Sequence, residues 1–372
     1  MVKAPRAFEL SLKSSYVVRI EGSGEREAWY NGGMTVVDYV KYYKDVSLSE
    51  AGWNQIDTLI VAILSYAKIR GFKEEKSFAE FIEKVEDLKR EKGEDPMAPK
   101  IRRMVKMLRW AKRYERVKVE NFDDIINDKT EFGAMTWKVG RKKVIGFRGT
   151  DGTIIGWIED FKLSYEYPTK THLLAREYLE QEIKEGDEVI LCGHSKGGNL
   201  AVVGAMELSA EKRRAVKKIY NFDGPGVRDK QFTSPEYAMI KHKIVNVIPE
   251  KSYVGVLMLS GGKTKVVKSE AGGLAVHYPT TWGVFGEVFV KGQQDKGSVQ
   301  LHENTVNNFM KIDEKGVERV LAGIFKKLEK RATQKVTWAD MLAIAEGVKE
   351  MDAETRKCFG EILGSLTAKT RD

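Results

Sequence analysis

Three regimes of hydrophobic patterning follow one another along the chain. Up to about residue 130 the apolar positions recur at helical intervals, first in "MTVVDYVKYY" and then in "GWNQIDTLIVAILSYAKI". The stretch "SFAEFIEKVEDLKREKGEDP" reads as a further helix closed by Gly93 and Pro96, and a charged, proline-containing loop around 91–99 separates it from a basic helical segment. Near residue 132 the period shortens. "FGAMTWKVGRKKVIGFRGTDG" carries brief apolar runs on either side of Gly140, the pattern of a hairpin that feeds a central strand over 144–147. Strands and helices then alternate: a helix over 171–183, the strand "DEVILCG", the helix "GNLAVVGAMELSA", the strand "KIYNFDG" and, after a connecting segment, the strand "HKIVNVIP". Such alternation predicts an α/β protein with a mostly parallel central sheet flanked by helices on both faces. Beyond 301 the helical period returns in "VERVLAGIFKKLEK", "TWADMLAIAEGV" and "CFGEILGSL". The expected organisation is therefore an N-terminal helical region over 1–130, able to act as a cap, an α/β core over 131–300, and C-terminal helices over 301–372 packed on that core.

With 372 residues the chain can bury a substantial core, as one large α/β domain or two smaller ones. No run approaches the roughly eighteen apolar residues of a membrane span. The start, "MVKAPRAFELSLKSSYVV", lacks an apolar stretch followed by a small-residue cleavage site, so a cytoplasmic location is expected. Cys192 and Cys358 are the only cysteines, too few for a disulfide framework or a cysteine-rich zinc site, and Cys192 sits in an apolar strand as a small core residue. The net charge of +9 draws attention to the densest cationic cluster, "PKIRRMVKMLRWAKRYERVKVE" over 99–120. Its apolar members Ile101, Val105 and Leu108, with Met104, recur at helical spacing, so the first reading is a solvated helix face covering the core. Weak contact with an anionic membrane surface through 99–120 is the second. Nucleic acid is a third and is not expected as a partner, because no nucleic-acid motif accompanies the cluster.

The chemistry is carried by "LCGHSKGGNLA", in which Gly193 to Gly197 spell G-x-S-x-G. A nucleophile elbow needs a strand, a sharp turn and a helix, and here 189–192 supply the strand, two glycines flank Ser195, and "GNLAVVGAM" supplies the helix. The helix N-terminus favours negative charge developing near the serine. Five histidines compete as its base. His172 and His194 precede the serine, against the usual order of serine, acid, histidine, and His194 belongs to the elbow. His242 opens a predicted strand and His302 a helical stretch. His277 lies in the Gly/Pro-punctuated "GGLAVHYPTTW", from which a base could reach over the strand ends. For the acid, Asp223 follows "KIYNF" and Glu250 follows "KIVNVIP", and the residues leave both open, although "DGPG" is also a strong turn composition. The oxyanion donors are expected to be the backbone N–H of Lys196 and the Thr150 backbone in "FRGTDG". Arg148 is expected in a structural ion pair, with Asp160 as one partner.

"FRGTDGTIIGWIEDF", "GHSKGGNLA" and "NFDGPG", in that order, resemble the Mbeg-like family of bacterial α/β-hydrolases, which is itself similar to the class 3 (fungal-type) lipases. "VVDYVKYYKDVSLSEAGWNQIDTLIVAILSY", "EFGAMTW" and "IPEKSYVGVLM" extend the resemblance over roughly 34–300. It implies an α/β-hydrolase fold and, by position, an oxyanion residue at Thr150, a nucleophile at Ser195 and a base at His277. Two departures bear on the acid. Ser252 stands where those lipases place their catalytic aspartate, and Tyr278 follows His277 where the family often has aspartate. Glu250, two residues from the expected place, is the first choice, and Asp223, a strand early, the alternative. The expected activity is that of a serine esterase or lipase-like hydrolase acting on a small-molecule or lipid ester through an acyl-enzyme on Ser195, with no metal or organic cofactor. Esters and thioesters would use the same site. The alternative is a non-catalytic protein of the same fold that binds an acyl ligand or a protein partner.

Overall fold

Residues 16–20, 26–30, 34–67, 75–86, 98–326, 328–337, 340 and 348–367 are described by the computed structural model. A two-stranded antiparallel hairpin, β1 (Tyr16–Ile20) and β2 (Arg26–Tyr30), comes first. The central sheet has eight strands: β3 (Lys76–Ser77), β4 (Lys118–Ile126), β5 (Glu131–Val139), β6 (Lys142–Phe147), β7 (Glu188–His194), β8 (Val216–Phe222), β9 (Ile244–Pro249) and β10 (Lys263–Val267). They lie side by side in chain order. β3 to β6 run antiparallel, joined between β5 and β6 by a turn with Gly140 at φ +60°, and β6 to β10 run parallel.

Strand order explains the two helical layers. When parallel strands are laid down in sequence, right-handed crossovers put every connecting helix on one face. That face carries α7 (Lys170–Glu182), α8 (Lys196–Glu207) and α11 (Pro235–Lys241), whose Ala175, Leu179, Leu200, Val203 and Ile240 pack on Ile145, Leu191 and Ile219 of the sheet. The opposite face must be covered from elsewhere. The N-terminal helices α1 (Val36–Tyr43), α3 (Gln55–Leu64), α4 (Phe78–Glu86) and α5 (Ala98–Leu108), with the short α2 (Leu48–Ala51) between the first two, supply the cover. Every residue of α3 from Ile56 to Leu64 is buried, and the helix lies against β6 and β7. Asp57 of this helix receives Arg113 at 2.7 Å and the Tyr39 and Tyr114 hydroxyls at 2.9 and 2.7 Å, a fully paired charge inside an apolar layer.

α6 (Ile154–Lys162) follows β6, and α9 (Ala210–Ala215) and α10 (Asp229–Phe232) are short connectors. At the C-terminal end, α12 (Lys296–Asn307), α13 (Glu314–Phe325) and α14 (Ala353–Thr367) form a third cluster, in which Val317, Leu321 and Phe325 pack with Ile154 and Leu163. The segment after α13 also accepts the first amides of α6, Ile154 N–H to Gln334 O and Ile155 N–H to Ala332 O.

One sequence expectation needs correction. The basic segment 99–120 is not one helix: α5 ends at Leu108, and from Lys118 the chain enters β4. Val119 and Phe122 both turn inward because a β-bulge between Val119 and Asn121 shifts the register, and their spacing of three amid charged residues imitates a helix. The exposed side of α5 carries Lys100, Arg103 and Lys106, and Trp110 just beyond it is 76 % exposed. The expected helix of "TWADMLAIAEGV" and the residues near Gly93 and Pro96 lie almost entirely outside the described residues. Among the described residues no helix is long and apolar enough to cross a membrane.

Candidate active site

The carboxyl ends of β6, β7 and β8 converge on one place, as the geometry of open α/β sheets favours. β7 ends in His194, α8 begins at Lys196, and Ser195 between them adopts φ +58°, ψ −132°. Side chains rarely occupy that region, and the strain is held by the surroundings. Ser195 N–H donates to Phe222 O of β8 at 3.0 Å, and Gly198 N–H closes the turn onto Ser195 O at 2.9 Å. A Cβ on Gly193 would run into the Gly197 carbonyl, and one on Gly197 into the Phe147 carbonyl of β6. The serine is half-buried at the head of α8.

The structure places Asp223 against His277. Asp223 Oδ2 lies 2.7 Å from His277 Nδ1, and the carboxyl is fully buried at the end of β8. Its other oxygen accepts the Ser252 hydroxyl and the Gly255 N–H. Ser252, which stands where the lipases place their aspartate, therefore supports the Asp223 carboxylate. Asp223 also makes the sharp turn, at φ +49°, but the turn is tied by Asn221, which exchanges hydrogen bonds of 2.9 Å with Gly224. The turn composition of "DGPG" and the contact of Asp223 with His277 are thus compatible. Glu250 is elsewhere: it follows β9 with its carboxylate accepting Gln293 N–H at 3.1 Å, away from His277. The expected pairing of Glu250 with the histidine is corrected to Asp223, because β8 lies beside β7 and β9 is one strand further out.

The other histidines are engaged in different ways. His172 is buried, its Nδ1 accepting Thr169 N–H and its Nε2–H donating to Asn199 Oδ1 at 2.8 Å, and burial pulls its pKa down to about 4. His302 Nδ1–H donates to Val256 O, and His242 is exposed at the end of α11. His194 lies beside His277: its ring is 4.5 Å from that of His277, and its Nε2 is 2.8 Å from the His277 carbonyl oxygen.

On the β6 side, Thr150 lies in the loop to α6 and its hydroxyl is directed to Gly156 O at 3.4 Å. Beneath it is a buried charged cluster that sequence reasoning missed. Lys196 Nζ donates to Glu159 Oε2 at 3.0 Å and to Glu131 O at 3.1 Å. Burial opposes its charge, but Glu159, Glu131 and Asp160 outweigh that and hold the ammonium above its ordinary pKa. Glu131 accepts Asp151 N–H and the Thr153 hydroxyl, and Glu159 accepts the Thr130 hydroxyl. Arg148 pairs with Asp124 at 2.7 Å and faces Glu131 at 3.9 Å, not the expected Asp160. Asp160 is pushed up to about 6 by burial, against the pull of Lys196 and the Thr150 hydroxyl. The elbow lysine thus rivets the head of α8 to α6 and β5. Among the described residues no group of His, Cys, Asp and Glu side chains is arranged to hold a metal ion.

No curated protein matches the sequence. Among solved structures, similarity is found to a Rhizomucor miehei lipase–propeptide complex (21 % identity, 41 % of this chain and 57 % of that one, TM-score 0.31). It is also found to lipase II of Rhizopus niveus (18 %, 41 % and 68 %, 0.33) and Lip2 lipase of Yarrowia lipolytica (10 %, 80 % and 95 %, 0.40). The match to the first spans little more than half of that chain's length. A family model described as Mbeg1-like matches residues 108–326, a stretch that runs from the end of α5 through α13 and holds Thr150, Ser195, Asp223 and His277 together. More than half the chain is accounted for by that match, and the chain belongs to the Mbeg1-like family.

Proposed function

We propose that the protein is a serine hydrolase that cleaves carboxylic esters through an acyl-enzyme on Ser195. The observation that carries this reading is the Asp223–His277 pair, at 2.7 Å with the carboxylate buried, beside a serine held at φ +58° on a strand–helix elbow. With Nδ1–H donating to Asp223, the lone pair of His277 is on Nε2, the nitrogen that takes the Ser195 proton as Oγ attacks the ester carbonyl. The oxyanion is received by the backbone N–H of Lys196 at the head of α8 and by Thr150. Collapse breaks the C–O bond, the Nε2 proton passes to the leaving alkoxide, and water repeats the sequence to release the acid and free Ser195. The substrate class is a small-molecule or lipid ester, with thioesters open to the same chemistry. The alternative, a non-catalytic protein of this fold that binds an acyl ligand or a protein partner, rests on a missing acid, and the Asp223 carboxylate against His277 favours the enzyme.

A fluorophosphonate probe tests the reading, since it traps an activated serine without the natural substrate. Labelling that maps to Ser195 and vanishes in Ser195→Ala is expected. Well-folded protein that takes no label at Ser195 would sink the proposal.

A further inference from the structure

Tyr66 lies two residues beyond the end of α3, and its hydroxyl is 2.9 Å from His194 Nδ1. The other ring nitrogen, Nε2, is 2.8 Å from the main-chain oxygen of His277. Proton positions follow from these two distances. A carbonyl oxygen only accepts, so His194 Nε2 carries the hydrogen. Burial, helped by the neighbouring His277, keeps the His194 pKa well below its ordinary value, so the ring holds a single proton. Nδ1 is then a bare acceptor and Tyr66 must be the donor. The chain runs one way: Tyr66 O–H to His194 Nδ1, and His194 Nε2–H to the His277 carbonyl.

The same hydroxyl lies against the loop after β6. A Cβ on Gly149 would collide with it and with the His194 carbonyl, and would reach Ser195 Cβ at 3.0 Å. One side chain of the N-terminal layer thus abuts the residue before Thr150, engages the residue before Ser195, and acts through His194 on the main chain of His277. Asp223 fixes the His277 ring from its side-chain end, whereas His194 fixes the same residue from its backbone. A ring held at both ends keeps a defined direction for Nε2. We propose that Tyr66, acting through His194, is a positioning residue that aims His277 at Ser195, so that the N-terminal helical layer is a working part of the site. This inference rests on the hydrolase reading.

The experiment compares wild type, Tyr66→Phe, His194→Gln, His194→Ala and the double variant Tyr66→Phe/His194→Gln. The readouts are the fluorophosphonate labelling rate and p-nitrophenyl butyrate hydrolysis, with thermal melting as the check on folding. Phenylalanine fills the same volume and removes only the donor. Misplacing a catalytic group by about 1 Å costs on the order of 10²-fold. Tyr66→Phe is therefore expected to lose roughly 10- to 100-fold in kcat and labelling rate, with KM little changed. Glutamine places an amide N–H near the position of Nε2, so His194→Gln should be faster than His194→Ala, and adding Tyr66→Phe to it should cost less than it does in wild type. Labelling of Tyr66→Phe at the wild-type rate, or equal rates for His194→Gln and His194→Ala, would overturn the proposal while leaving the hydrolase reading intact. Wild type without label at Ser195 would overturn both. Should Tyr66→Phe fail to fold, the glutamine–alanine comparison still decides.

Discussion

Asp223 shows how much one residue's neighbours determine. Two donors, Ser252 Oγ–H and Gly255 N–H, point at Oδ1, and His277 meets Oδ2. In Asp223→Asn those donors hold the amide oxygen in place and turn the NH₂ towards Nδ1. The histidine must then carry its proton on Nε2, where it cannot accept one from the serine. A fall in kcat of about 10⁴-fold with a near-wild-type melting temperature is expected, as for such a tautomer change in a triad. Glu250→Gln should leave esterase activity within about twofold, since that carboxylate faces Gln293 and not the site; the two variants measured on one chromogenic ester check both statements. Sequence reasoning named Ser195 and Asp223 because each follows a strand end with a distinctive composition, and His277 by elimination among five histidines. It ranked Glu250 above Asp223 because spacing from the lipases weighed more than strand adjacency, which no spacing shows. Tyr66 and His194 are 128 positions apart, and nothing in the local composition of either announces the contact.

At the scale of the element, the elbow is legible because its constraints are short-range. Gly197 is required by contact: helix α8 starts so close to β6 that a methyl group would strike the Phe147 carbonyl and lie 2.9 Å from the carbonyl carbon of Arg148. Gly197→Ala should push the head of α8 away from the sheet, destabilising the fold by about 1–3 kcal/mol and displacing the backbone that leads to Thr150. The expected result is a lower urea midpoint together with a reduced labelling rate at Ser195; unchanged values of both would show that the turn relaxes freely. β4 illustrates the opposite case. Its polar face and the basic run before it imitate an amphipathic helix, and only pairing with β5 along Lys118–Ile126 determines its state.

For the molecule as a whole, the buried cluster around the elbow sets a pH dependence. Glu131 is 1 % exposed and, chiefly through burial, holds its proton up to about pH 7, against 4.5 for an ordinary glutamate. The folded state therefore binds more protons than the unfolded chain between those values, and this group's contribution to stability is lost as pH rises through 7. His172, lowered to about 4, works in the other direction, its contribution falling away as pH drops below 6.5. Glu131→Gln removes the first effect alone, so the urea midpoint of the variant relative to wild type should rise between about pH 5 and pH 8; a constant difference would show that the carboxyl titrates normally. What the sequence determined by itself was everything local or periodic: the α/β class, the strand–turn–helix around Ser195, the loop carrying His277 and the helical character of much of the first third. These follow from side-chain period and from glycines that a tight turn demands. Only the tertiary structure decided that the carboxylate beside His277 is Asp223, that Lys196 is buried against Glu159, and that the N-terminal helices form the second layer of the sheet. Each of those depends on which strand lies beside which. Laying β6 to β10 side by side in chain order sends all their crossovers to one face, and the other face, left apolar, draws in α3 and brings Tyr66 to the site.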